Sequence, residues 1–262
     1  MGSGPYNGWL SRLRRRRSAR QWRQIADGAA DLGNGTRRRL RDEARGLRSD
    51  LDRFLRSLDR RPGQSLAALG RVALPPGTDW RWRPGFLAAA LSPSGIAGPA
   101  NGQRLGDEVA LWHDCAASAL ILRQQVSHRA TDLAPFGLLL EVFRFSGSYL
   151  SLSIDLPPKA LAGLTKSHIL RLDSTIAVEH PIAIYARLNI GHGPNTEQVL
   201  RHLGDLRAGQ PAQLVTEFDL AYTEMTEKRL DKIWLDLIFE APGMNAIEIS
   251  ELFMSRHLRA DI

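Results

Sequence analysis

The hydrophobic pattern of this chain changes period partway along, and the change divides it. From residue 107 onward the period is two. In SYLSLSIDL, Leu150, Leu152, Ile154 and Leu156 fall on one side, with Tyr149, Ser151, Ser153 and Asp155 on the other. IAIYARLNI repeats the pattern: Ile182, Ile184, Ala186, Leu188 and Ile190 alternate with Ala183, Tyr185, Arg187 and Asn189. EVALWHD, GLLLEVFRF, SHILRLDSTIAVE, AQLVTEFDLAY, KIWLDLIFE and AIEISELFMS read the same way, each bounded by Gly, Pro, Asn, Asp or Ser clusters. Strands with one wet face belong to antiparallel sheets, and this many at short spacing predict a mainly β, two-sheet sandwich. One segment, TEQVLRHL, stays ambiguous: Val199, Leu200 and Leu203 suit a helical turn, and a strand fits too.

Upstream, the period is helical. Leu40, Ala44, Leu47, Leu51, Phe54 or Leu55, and Leu58 recur at spacings of four and three, which predicts one helix over residues 36–61 with an apolar seam. Thr36 is the expected N-cap and Arg61-Pro62-Gly63 the stop. Such a seam must be buried, against the body, against the first helix, or against a second copy of the chain. Residues 1–35 hold a sparse apolar set (Trp9, Leu10, Leu13, Trp22, Ile25) among arginines. A short basic amphipathic helix there would suit an anionic membrane surface, and the same composition serves nucleic-acid arms or a solvated tail.

Between these halves, residues 62–106 are rich in Pro, Gly and Ala and lack a period, which predicts a linker. Trp80-Arg81-Trp82-Arg83 interrupts it, either as an anchor pinning the linker to the body or as a stacking platform. The expected organisation is therefore a basic helical arm (1–61), a Pro/Gly-rich linker (62–106) and a β-sandwich (107–262).

Charge sharpens this division. Residues 1–70 carry seventeen arginines, no lysine and seven acids, whereas the remainder carries 18 basic and 21 acidic residues. Cys115 is the only cysteine, so no intrachain disulfide or cysteine-based zinc site can form, and a reducing cytoplasmic setting fits. No apolar run approaches a membrane span, and no apolar segment follows the N-terminal arginines as a secretory signal needs.

The closing run VTEFDLAY, KIWLDLIFE, the turn APGMN, and AIEISELFMSRH resembles jelly-roll carbohydrate-binding modules of the galactose-binding-like type, over roughly residues 107–258. GSYLSLSIDLP, ARLNIGHGPNTEQ and FDLAYTEMTEKRLDKIWLDLIFE look like an uncharacterised bacterial family of unknown function. The resemblance implies a jelly-roll-like sandwich with a sugar-binding face, and it carries over no catalytic residue.

The chemistry-bearing motifs are few. There is no phosphate-binding glycine loop in strand–helix context, no G-x-S-x-G elbow and no H-E-x-x-H. The seven histidines have no metal-ligand spacing, and no oxygen-rich calcium loop appears, so no metal or cofactor is expected. His113 and Cys115 share a strand face, but a buried structural thiol is the simpler reading. In ARLNIGHGPNTEQ the glycines and Pro194 form a turn. Beside it, Arg187, Asn189, His192 and Asn195, with the rings of Tyr149 and Tyr185, offer the donors, acceptors and aromatic faces that a polyhydroxylated ligand needs. The plainer alternative is turn chemistry at Gly193 and Asn195, with Arg187 paired to an acid on the next strand.

These observations predict a non-catalytic binding or scaffolding protein, cytoplasmic and peripheral to the inner membrane if its arm contacts lipid. The ligand residues expected are Tyr149, Tyr185, Arg187, Asn189, His192 and Asn195. Trp9, Leu13, Arg14, Arg15, Arg16, Arg17, Trp22, Leu47, Leu51 and Phe54 would contact a membrane surface or protein partner. A homo-oligomer is compatible with the seam. A structural subunit of a larger assembly and a polysaccharide-acting hydrolase are the rival readings, and a nucleic-acid role is weaker still.

Overall fold

The computed structural model describes residues 9–29, 32–59, 73–127, 129 and 132–259. The chain divides into two compact units, Met1–Leu55 and Arg56–Ile262. The first holds α1 (Trp9–Asp27) and most of α2 (Asn34–Asp59). Helix α2 starts two residues before the expected cap. The carbonyl of Gly33 accepts from the Arg37 amide at 3.0 Å, so Thr36 already lies inside the first turn. The stop at Arg61-Pro62-Gly63 lies outside the described residues. Among the described residues, no helix is long and apolar enough to cross a membrane.

Beyond the end of α2, the described residues of the second unit form strands joined by loops and short helical turns. Its strands are β1 (Thr78–Trp82), β2 (Gly95–Ala97), β3 (Gln103–Leu105), β4 (Val109–His113), β5 (Ala119–Val126), β6 (Phe136–Arg144) and β7 (Leu150–Asp155). They continue with β8 (His168–Val178), β9 (Ile182–His192), β10 (Asn195–Leu206), β11 (Ala212–Asp219), β12 (Leu230–Phe239) and β13 (Asn245–Leu258). A single turn of helix, α3 (Gly85–Ala88), follows β1. Sheet A runs β11-β8-β13-β6-β5-β2, with β1 added to β13; sheet B runs β10-β9-β12-β7-β4-β3.

The pairings nest. β6 pairs with β13, β7 with β12, β8 with β11 and β9 with β10, all antiparallel. A long hairpin of eight strands folded along its length and wrapped over itself has this pattern, which is the jelly roll. The period-two segments are the reason it closes. Leu170, Leu172, Ile176, Ile247, Ile249, Leu252 and Met254 of sheet A are buried, as are Leu152, Ile154, Ile184, Leu188, Leu235 and Leu237 of sheet B. Each fully buried side chain of this size removes enough apolar surface to favour folding by about 1.5–3 kcal/mol.

The described part of the Pro/Gly-rich segment, residues 73–106, is not a linker. Residues 78–105 supply β1, α3, β2 and β3, and each strand is hydrogen-bonded into a sheet. These strands were invisible as pattern because they run only three to five residues and two of them lie at sheet edges, where alternation is not enforced from both sides. Trp80-Arg81-Trp82-Arg83 is an anchor: Trp80 and Trp82 are half-buried against the core. Arg83 makes a two-pronged bond to Glu251, at 2.8 and 2.6 Å. At the other end of β1, Arg256 grips Asp79 with two bonds of 2.9 and 2.8 Å and donates to the carbonyls of Ala160 and Ala162. The guanidinium fork matches both carboxylates, so β1 is held to β13 by charge as well as by its ladder. TEQVLRHL is a strand, the first part of β10.

Two predictions follow from this packing. Leu172→Ala, at a site with no exposure, should lower unfolding free energy by about 2–5 kcal/mol in urea titration. The Arg256 guanidinium, by hydrogen bonding and charge, holds the Asp79 carboxyl below its ordinary value of 3.8. A carboxylate with a depressed folded pKa stabilises above the unfolded value and loses that contribution as pH falls through the folded one. Melting temperature measured against pH should therefore fall below about pH 4, and Asp79→Asn should flatten that limb while lowering stability at neutral pH.

Candidate functional site

The outer face of sheet B is built from the polar half of each alternating strand, and register arranges it in rows across the strands. His202, Tyr185, Ile238, Ser151 and Trp112 form one row, each paired with the next. Leu200, Arg187, Asp236, Ser153, Ala110 and Arg104 form the next. Gln198, Asn189, Trp234 and Asp155 form the third. Successive members stand about 4.8 Å apart, so Tyr185 and Trp112 are separated by three strand spacings, roughly 14 Å.

The first row carries the exposed rings. Trp112 is 45% exposed and Tyr149, just before β7, is 41% exposed. Both are fixed in place. A Cβ on Gly102 would lie 3.0 Å from the Trp112 ring, so the absence of a side chain there makes room for it, and Gly102 sits at φ +72 where glycine is favoured. Asp114 accepts from the Ser148 and Tyr149 amides at 2.7 and 3.2 Å and from the Ser148 hydroxyl at 2.6 Å. These bonds, that of the hydroxyl foremost, hold the Asp114 carboxyl below its ordinary value. They also set the start of β7 and with it Tyr149. The Tyr149 hydroxyl reaches Asn101 at 3.5 Å. Across the face, Tyr185 packs on His202 with ring centroids 4.8 Å apart and donates to Glu240, whose charge raises the phenol's pKa. Between the rings lie Ile238, half-buried, and Ser151, buried, and beside them in the next row stand the small residues Ser153, half-buried, and Ala110, buried.

The second and third rows are ionic. Arg187 donates to Asp236 through both Nε and Nη2, at 3.1 and 2.9 Å. Asn189 donates to the same carboxylate oxygen at 2.9 Å. Its amide nitrogen also contacts the carbonyls of Arg187 and Trp234, which fixes the orientation of the side chain. Asn189 is wholly buried, and its Oδ1 has no protein partner. Arg104 and Lys232 converge on Asp155 at 2.7 and 3.3 Å, and the Lys232 ammonium lies 4.9 Å from the Trp234 ring. Thus Arg104, Arg187 and Lys232 each have an acidic partner, and Trp234 is half-covered by Lys232.

The sequence-expected residues are only partly brought together. Tyr149, Tyr185 and Arg187 share the outer face. Asn189 is on that face but beneath its surface. His192 is buried, its Nδ1 accepting from the Thr226 amide at 3.3 Å, so its ring is occupied by the backbone. Gly193 and Pro194 are the two residues of a tight hairpin, Gly193 at φ +65, and Asn195 opens β10 beyond them. The turn reading of this stretch and the pairing of Arg187 with a neighbouring acid both hold. Trp112 went unremarked in sequence because EVALWHD gives no sign that its one outward aromatic would stand opposite Tyr185. His113 uses Nδ1 for the Cys115 amide and Nε2 for the Pro99 carbonyl. The Cys115 thiol instead neighbours Ser146, whose backbone holds its pKa below the ordinary value.

Two cavities lie elsewhere. One of about 370 Å³ sits between α3 and the β3–β4 turn, with Arg83 and Glu108 in its wall. Glu108 accepts from the Gly85 amide at 2.6 Å, and Arg83 is committed to Glu251. A second, of about 280 Å³, lies over Thr175, Gln213 and Glu251. Burial holds the Glu251 carboxyl above its ordinary value, with Arg83 opposing. Their charged walls are used for structure. Among the described residues no cluster of His, Cys, Asp and Glu could hold a metal ion.

On the helices, Arg16 and Arg17 are exposed and Trp22 is half-buried. Leu47 and Leu51 are exposed at 38% and 53%. The side chains of Trp9, Leu13, Arg14, Arg15 and Phe54 lie outside the described residues.

Asp236 is the centre of the ionic rows. Asp236→Ala should strand the Arg187 charge and one amide hydrogen of Asn189, lowering unfolding free energy by roughly 1–3 kcal/mol. Chemical denaturation measures this loss, and Arg187→Met in the same background should recover part of it.

The chain is similar in fold to several solved structures. The CBM22-1 xylan-binding domain of Xyn10C from Paenibacillus barcinonensis aligns with TM-score 0.39 at 12% identity, covering 72% of this chain and 100% of that one. The family 11 carbohydrate-binding module of Clostridium thermocellum, in complex with a β-1,3-1,4-mixed-linked tetrasaccharide, aligns with TM-score 0.37 at 8% identity over 62% and 94%. The CBM22-1–GH10 modules of Clostridium thermocellum xylanase 10B, complexed with xylohexaose, align with TM-score 0.37 at 8% identity, over 54% of this chain and 25% of theirs. No curated protein matches the sequence. The family model that does match spans residues 1–262, and the chain belongs to that family of unknown function, DUF6478.

Proposed function

We propose that this protein is a non-catalytic binder of glycans, and that the outer face of sheet B is its binding surface. The observation that carries this reading is the first row and its border: Trp112 stands exposed at one end with Tyr149 beside it, Tyr185 stands at the other, Ile238 and Ser151 lie between, and the small residues Ser153 and Ala110 flank them in the next row. Sugar rings present C–H faces to aromatics and hydroxyls to whatever lies beside them. Serine hydroxyls and the edge of Glu240 supply both donors and acceptors at that level. The cations already paired across the face leave no ready counter-charge for a uronate or sulfate, which favours a neutral oligosaccharide.

The face also argues for binding without turnover. Hydrolysis by paired carboxylates needs one acid free to protonate and one free to attack or activate water. Asp155, Asp236 and Glu240 are each engaged, by Arg104 and Lys232, by Arg187 and Asn189, and by the Tyr185 hydroxyl. The arginine-rich helical unit is then the element that positions the sandwich.

A neutral-oligosaccharide array with the full chain, followed by titration calorimetry on the best ligand, tests this reading. Trp112→Ala should weaken binding about tenfold or more, as truncating an aromatic anchor does. Tyr222→Ala, which removes an exposed ring beside Arg259 instead, should leave affinity unchanged. Binding to no glycan, or equal loss in both variants, would refute the assignment.

A further inference from the structure

We propose that the seam of α2 is a self-association surface, and that its occupant is the α2 helix of a second copy, lying parallel. The inference does not rest on the glycan reading. Its basis is a heptad in which apolar and charged positions agree. Leu40, Ala44, Leu47 and Leu51 recur at spacings of four, three and four, and the sequence continues the seam to Phe54 and Leu58. With Ala44, Leu51 and Leu58 as a positions, the d positions are Leu40, Leu47 and Phe54. This is three heptads of the pattern that makes two helices supercoil about a shared apolar line.

The seam needs a partner. Leu40 and Ala44 are half-buried, while Leu47 and Leu51 are 38% and 53% exposed. A 26-residue helix crowded with like-charged arginines, with Gly46 in its interior, depends on packing of its apolar stripe.

Charge decides what that partner is. The e positions flanking the seam are Arg41, Arg48 and Leu55, and the g positions are Glu43, Asp50 and Ser57, so the charged members are cationic at e and acidic at g. In a parallel pair, each g residue meets the e residue five positions further along the other helix. Glu43 of one copy then meets Arg48 of the other, and symmetry makes the contact twice. An antiparallel pair would set Arg against Arg and acid against acid, which is disfavoured. A bilayer is a poorer match. A helix lying on anionic lipid flanks its apolar stripe with cations on both sides, whereas here one flank is acidic. Two chains joined this way would present two sheet B faces, so weak binding at each would combine as avidity where the geometry lets both engage.

Light scattering of the full chain during size exclusion tests this directly. The expected mass is twice the chain mass of 29.1 kDa. Leu47→Glu with Leu51→Glu should return the mass to a single chain with the sandwich melting unchanged, since both side chains are already exposed. Glu43→Arg should weaken self-association about tenfold, because it turns two attractive contacts repulsive. Adding Arg48→Glu should restore it. A single-chain mass for the unaltered protein overturns the proposal, whether or not the chain co-sediments with phosphatidylglycerol vesicles. Co-sedimentation would assign the seam to lipid. Failure of the double charge swap to restore association overturns the parallel arrangement.

Discussion

Strand β12 is hydrogen-bonded on both sides, to β9 and to β7, and this double pairing fixes what the outer face of sheet B can be. A strand's side chains alternate with period two, so a slip of one residue would turn Trp234, Asp236 and Ile238 into the core and push Leu235 and Leu237 into water. The slip is blocked twice, by the buried leucines on one face and by Asp236 meeting Arg187 on the other. The rows of aromatic and ionic residues follow from that register. They depend on the same hydrophobic burial that stabilises the sandwich, which is why the proposed binding surface sits on regular strands instead of on loops.

The ionic rows also show how a polar face tolerates partial burial. Asp236 is nearly inaccessible, yet it accepts from a guanidinium and an amide, so its charge is solvated by the protein. Arg83 and Arg256 do the same for β1 in sheet A. In each case a planar cation meets a carboxylate with two bonds, and in each case the pair joins strands distant in sequence. The charges therefore serve the topology more than they serve any chemistry, and the glycan reading needs none of them as a reactive group.

How much of this was legible in the sequence follows from how strongly each segment is constrained. β6 to β9 and β11 to β13 are each buried on one face and wet on the other over most of their length, as in His168–Val178, so their alternation could be read directly, although β13 is interrupted by a bulge after Ile249 and is buried on both faces beyond it. β1, β2 and β3 are too short for a period to register, and their Pro and Gly content resembles a linker. β5 shows no period because ALILRQQV opens apolar on both faces, with Leu120 and Leu122 buried and Ala119 and Ile121 half-buried. β10 is open along much of both faces, so Leu200 stands in solvent and mimics a helical pattern. For the site, Tyr149, Tyr185 and Arg187 could be placed from alternation alone. His192 could not, because its burial depends on the Thr226 backbone, far away in sequence. Trp112 could not, because which residue lies opposite Tyr185 three strands away is a property of topology.

The nested pairing of the roll has a consequence for how the molecule is made. β6 waits for β13, β7 for β12 and β8 for β11, so the innermost hairpin, β9 with β10, is the only one of the four pairs whose members are adjacent along the chain. On the ribosome, β8 emerges before either of its partners exists, while β6 and β7 can pair with the earlier β5 and β4 but wait for β13 and β12 on their other edges. β13 is the last of the strands to leave the exit tunnel, and until it does sheet A lacks the strand that joins β8 to β6. Closure of the sandwich is thus deferred until synthesis of this domain is done, and a nascent chain stalled within β13 would be a client for chaperones that shield exposed hydrophobic strands.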